Sequence, residues 1–141
     1  MIYDINHNNW TEGPSLNVKR VNHACMVDQK TETIHVMGGW DGRLNPSKST
    51  ETLTKGSKKW KMGSNLKERI DKSAAVSSRS LEYVGFLVGG WTSPDDESVV
   101  RHAKTWGLRR RDMEWIEMST QLKIPRKGHS VVNIQLGEIG C

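Results

Sequence analysis

Cysteine, phenylalanine and tyrosine are nearly missing from this 141-residue chain, which holds two Cys, one Phe and two Tyr. Two cysteines, Cys25 and Cys141, make no disulfide framework, and that favours a reducing compartment. Cys25 lies in the apolar run HACMV and reads as a small buried side chain, while Cys141 is the last residue. No window approaches the ~20 consecutive apolar residues of a membrane-spanning helix. The opening MIYDINHNNW has neither the basic nor the apolar region of a secretory leader. These absences lead us to expect a soluble, cytoplasmic chain with no membrane partner.

Chemistry-bearing patterns are missing as well. None of the five histidines, His7, His23, His35, His102 and His129, has HxH or HxxxH spacing, and there is no CxxC. No metal site and no other cofactor is therefore expected. No G-x-S-x-G elbow occurs, and neither double glycine leads into a helix carrying Lys-Ser/Thr, as a phosphate loop would. Lys plus Arg number 21 against 16 Asp plus Glu, a net charge of +5 with the signs well mixed. The one dense cluster, Arg109 to Arg111, reads as a solvated loop. A nucleic-acid surface needs a basic stripe interleaved with aromatics, and none is present, so no nucleic-acid partner is expected.

Against this sparse aromatic background stand six tryptophans. Trp10, Trp60 and Trp115 recur at intervals of 50 and 55 residues, and the double glycines Gly38-Gly39 and Gly89-Gly90 lie 51 apart. Each of these tryptophans is followed by a leucine (Leu16, Leu66, Leu122) and then by an arginine (Arg20, Arg69, Arg126). After each arginine comes a run of small and apolar residues: NHACMV, DKSAAV or KGHSVV. Features kept in one order over several copies mark a structural repeat.

Within a repeat the local patterns are those of strands. TIHVMGG and YVGFLVGG are rich in β-branched and aromatic residues and stop at glycines. STETLT alternates and meets the turn KGSKK before Trp60. No window shows the i, i+3, i+4, i+7 spacing of a long amphipathic helix. Each unit therefore holds four short strands, and four-stranded units of this length are the blades of a β-propeller. Where the second strand ends the chain must turn sharply against a neighbour, which glycine permits.

The phased Gly-Gly, Trp, Leu and Arg, with the glutamate-bearing STETLT between them, resemble kelch repeats over essentially the whole chain. The expected fold class is all-β, with kelch-type propeller blades of four antiparallel strands. Residues 1–21 end a preceding blade, 22–71 and 72–127 form two complete repeats, and 128–141 begin a further one. Propellers close with roughly 4–8 blades. Two complete units and two partial ones thus imply a piece of a longer propeller. The alternatives are copies that assemble into a ring through exposed blade edges, or an incomplete gene product.

The resemblance also implies roles. Gly38, Gly39, Gly89, Gly90, Trp10, Trp60, Trp115, Arg20, Arg69 and Arg126 are structural members of the repeat, the arginines tying blades together through carbonyls. His23 and His129 share one phase and read as structural too. In such propellers the loops after the second strand and those between blades gather on one face, where partners bind. Trp40, Asp41, Arg43, Trp91, Asp95 and Asp96 are the candidate contacts there. Asn22, Asp71 and Gly128, which follow the repeat arginines, take a place that similar domains use for peptides.

The implied function is binding of a partner protein, as the substrate-recognition part of a cullin-type ubiquitin ligase adaptor, with no enzymatic activity. An actin-binding kelch protein is the alternative. A remnant of a kelch-fold enzyme is the third: a copper radical oxidase similar to galactose oxidase, or a sugar-acid epimerase. Tyr3 and Tyr83 have no evident His or Cys partner for a copper site.

Overall fold

The computed structural model describes residues 1–40, 42, 46–92 and 100–133. Twelve strands make up the secondary structure among these residues, without a helix. A first four-stranded antiparallel sheet runs β3 (Ala24–Asp28), β4 (Thr33–Met37), β5 (Thr50–Thr54) and β6 (Lys61–Met62), in sequence order. A second repeats that meander with β7 (Ala74–Ser77), β8 (Tyr83–Val88), β11 (Thr105–Arg109) and β12 (Glu114–Glu117). Two small hairpins complete the set: β1 (Ile2–Asp4) with β2 (Asn9–Thr11), and β9 (Trp91–Thr92) with β10 (Val100–Arg101). The expected all-β architecture, with two four-stranded units and a strand pair before them, is what the chain forms. Residues 128–133, expected to begin a further blade, form no strand, and 134–141 lie outside the described residues.

Short polar side chains close the hairpins. Asp28 accepts the Lys30 amide at 3.0 Å, and Glu32 takes a left-handed φ of 47° before β4 departs. Asp4 caps the first hairpin through the amides of Asn6 and His7, with Asn8 at φ 46°. Such turns tolerate Asn and Asp because a side-chain oxygen replaces a missing main-chain partner.

The two sheets stack face to face through apolar side chains. Met26, Met37, Leu66, Ile70, Val84, Leu87, Trp106, Leu108 and Trp115 form one buried cluster. Gly85 makes the stacking possible, because a Cβ there would sit 2.6 Å from the Met26 sulfur. The tryptophans recur in structure as in sequence. Trp115 Nε1 donates to the Ser64 carbonyl at 3.2 Å, and Trp60 Nε1 donates to the Pro14 carbonyl at 2.9 Å. Trp10 on β2 instead stacks on Tyr3, their centroids 4.9 Å apart, and stays exposed.

Two expectations need correction. Cys25 is exposed, because β3 alternates and the side chains it covers are those of Ala24, Met26 and Asp28. The arginine cluster is not simply solvated. Arg110 Nη1 reaches the buried Asp28 carboxylate at 2.7 Å, bridging the two sheets, and Arg109 pairs with Asp112 at 2.6 Å. Burial pushes the Asp28 carboxyl up, but hydrogen bonds from Arg110, Lys30 and Thr31 outweigh this and hold it below the usual carboxylate range.

Candidate partner-binding edge

The second strand of each sheet ends at a double glycine, and all four glycines have left-handed φ, from 60° to 102°. A Cβ on Gly39 would lie 2.6 Å from the Val21 carbonyl, and one on Gly90 would lie 2.9 Å from that of Asp71. Main chain meets main chain here, so no side chain fits. The amide of Gly39 donates to Ile70 and that of Gly90 to Arg126, each at 2.9 Å. Each double glycine thereby fastens its own sheet to the linker of the next.

Just past the glycines, Trp40 pairs with Val21 and Trp91 pairs with Asp71 as isolated antiparallel bridges. The residue after each bridge partner is left-handed: Asn22 at φ 55° and Lys72 at 51°, with Gly128 at 63° in the third linker. The Lys72 amide donates to the Asn22 carbonyl at 3.2 Å, and the Gly128 amide donates to the Lys72 carbonyl at 2.8 Å. One main-chain thread thus runs along this edge from linker to linker.

These pairings set the register of the repeat. Arg20 and Ile70 both precede a bridge residue, and Ile70 and Arg126 both give their carbonyls to a second glycine. The position equivalent to Arg20 and Arg126 is therefore Ile70, and Arg69 lies one residue early. Likewise Lys72, rather than Asp71, matches Asn22 and Gly128. The arginine spacing misled because the second linker keeps its length but carries its arginine one residue nearer the leucine.

The three arginines have different fates. Arg20 is buried, and its Nη1 donates to the carbonyls of Gly38 at 2.8 Å and Ser49 at 3.0 Å. Its Nη2 meets the Glu51 carboxylate at 2.8 Å, and both side chains are fully shielded from solvent. Glu51 also accepts the amides of Asn17 at 2.7 Å and Val18 at 3.1 Å. Burial pushes its carboxyl up, yet Arg20 and those amides together hold it below the ordinary range. Arg69 is exposed and donates to the Pro46 carbonyl at 3.2 Å, and Arg126 is exposed near the Ile124 carbonyl.

Among the expected contacts, Asn22, Asp71 and Trp91 come together. Trp91 Nε1 donates to Asp71 Oδ2 at 3.0 Å, and the Lys72 amide donates to Oδ1 at 2.9 Å. Burial, opposed by hydrogen bonds from Lys72, Trp91 and Asn22, leaves the Asp71 carboxyl raised. The Lys127 ammonium stands over the Trp91 ring, 4.9 Å from its centroid. Lys127 was not foreseen, because its contact joins the third linker to the segment after the second double glycine, far apart in sequence. Trp40, just past the first double glycine, is 41% exposed. Asp41, Arg43, Asp95 and Asp96 lie outside the described residues.

Among the described residues no three His, Cys, Asp or Glu side chains gather closely enough to hold a metal ion. No family model matches the sequence, and no curated protein matches it.

Proposed function

We propose that the chain is a kelch-type repeat module that binds a partner protein along the edge carrying Asn22, Trp40, Asp71 and Trp91. In this reading it serves in the cytoplasm as the substrate-recognition part of a cullin-type ubiquitin ligase adaptor. One observation carries the binding edge. The first sheet makes its bridge with Val21, while the second keeps a buried carboxylate, Asp71, at the same place. A raised carboxyl costs folding stability, and such costs concentrate where a protein meets its ligands. Trp91 and Trp40, two large amphipathic rings on a rigid frame, fit the usual composition of interface anchors. The sequence of the adjoining loops adds Asp41, Arg43, Asp95 and Asp96 to the same reading.

The test is affinity capture followed by quantitative comparison across variants. Wild type and Arg111→Ala, changed far from the edge, should retain one common set of partner proteins, the substrates in this reading. Trp40→Ala and Trp91→Ala should lose that set. Capture indifferent to both tryptophans would overturn the binding edge. Salt-sensitive co-sedimentation with filamentous actin, without a cullin, would transfer the reading to the actin binder.

A further inference from the structure

Between the two sheets lies a second feature. A cavity of about 390 Å³ is lined by His35, Met37, Thr52, Met62, Met113 and Trp115, with Leu108 and the small residues Thr50, Gly63 and Ser64. Its floor is deep, since His35, Met37 and Trp115 are each at most 4% exposed, whereas Met62 at the mouth is 55% exposed. Among the described residues, no Asp, Glu, Lys or Arg lines it. Trp115 Nε1 and the Thr50 hydroxyl are both committed to the Ser64 carbonyl. His35 Nε2 is buried and has no hydrogen-bond partner among the described residues. Thr52 pairs with His35 across β4 and β5, so its side chain shares that face of the sheet.

We propose that this cavity binds a small, uncharged, planar aromatic molecule carrying one hydrogen-bonding group. The volume admits a single ring with room to spare, because a cavity of about 150 Å³ already holds benzene. Three methionine side chains offer soft, polarizable walls, and sulfur favours contact with aromatic rings. An ion is disfavoured, because among the described residues no opposite charge lines the walls to offset its desolvation. A purely aliphatic guest would leave the buried imidazole nitrogen unsatisfied, which costs free energy that a hydroxyl or ring nitrogen would recover. The site goes beyond the partner-binding reading and does not depend on it.

Phenol is the probe, titrated into the full chain while the methionine methyl resonances and the Trp115 indole N–H are followed by NMR. Saturable shifts confined to Met37, Met62, Met113 and Trp115 are expected. His35→Phe should weaken phenol about tenfold, the worth of one hydrogen bond, and leave toluene binding unchanged. This variant is compatible with the fold, because Phe86 stands at the matching place in the second sheet. Met62→Trp, changed at the exposed mouth, should block phenol through bulk alone. Shifts that never saturate, or phenol binding unaltered by both substitutions, would overturn the site.

Discussion

Trp106 stands in the second sheet where Glu51 stands in the first. Glu51 is paired with Val36 and Trp106 with Leu87, and each of those partners precedes its double glycine by the same step. The linker residue changes in concert, from Arg20 to Ile70. One repeat thus fills this position with a buried ion pair, the other with apolar bulk. Replacing buried ion pairs by apolar groups is known to be tolerated when both partners change together.

Removing one partner is a different matter. Glu51→Ala should cost about 3–5 kcal/mol, because it strands the buried Arg20 guanidinium. The carboxyl is held below its ordinary pKa, so its contribution is fully present above the ordinary range and is lost as pH falls through the lowered value. Urea unfolding of the variant measures the first effect, and the acid limb of wild type compared with Glu51→Gln measures the second. A cost below about 1 kcal/mol would mean the pair is solvated.

Gly39→Val and Gly90→Val should each destabilise by at least about 3 kcal/mol, combining left-handed strain with collision against a carbonyl. Gly42→Val is the control for strain alone, since Gly42 has a left-handed φ of 91° but a Cβ there meets nothing within 4 Å among the described residues. Melting curves for Gly39→Val or Gly90→Val that matched wild type would contradict the main-chain approach described here.

Asp71 has the opposite sign from Glu51. Its carboxyl is raised, chiefly by burial, so the folded chain holds that proton more tightly than the unfolded chain. The Asp71 contribution is best below the ordinary carboxylate pKa and falls as pH rises through the raised value. Asp71→Asn cannot ionise, so its stability relative to wild type should improve between pH 3 and pH 7. The gain is about 1.4 kcal/mol for each unit of the raise. Unfolding both proteins in urea across that range gives the difference directly, and a flat difference would refute the assignment.

Acid should also loosen the contact between the sheets. Burial lowers the pKa of His35 and His102, so both are neutral in the fold and take up protons on unfolding. Their contribution is present above the ordinary histidine value of about 6.5 and declines as pH falls below it. His35→Phe should flatten the loss between pH 6.5 and 5.5. An unchanged slope would assign the acid sensitivity to His102 or to His129, whose pKa burial also lowers.

The features legible in the sequence were those carried by single letters with strong backbone or packing demands. The double glycines announced where strands stop, and Trp60 and Trp115 announced a repeat, because main-chain collision and ring volume leave few substitutes. Cys25 was misread because a short apolar run does not say which face of a strand is covered. Arg69 was misread because letters were aligned where left-handed angles set the register. Lys127 over Trp91 and Arg110 on Asp28 were invisible, since each contact joins distant segments through the stacking itself.

The thread through Asn22, Lys72 and Gly128 has a consequence for how such chains change over time. Three residues with no chemistry in common hold one conformation and pass one amide-to-carbonyl contact along the edge. Spacing between successive units is therefore dictated by peptide groups, which every mutation leaves in place, provided the residue tolerates the left-handed angle. Side chains at those points are free to drift while the pitch of the stack stays fixed. Kinship among such proteins would then persist in torsion angles long after it had faded from the alphabet.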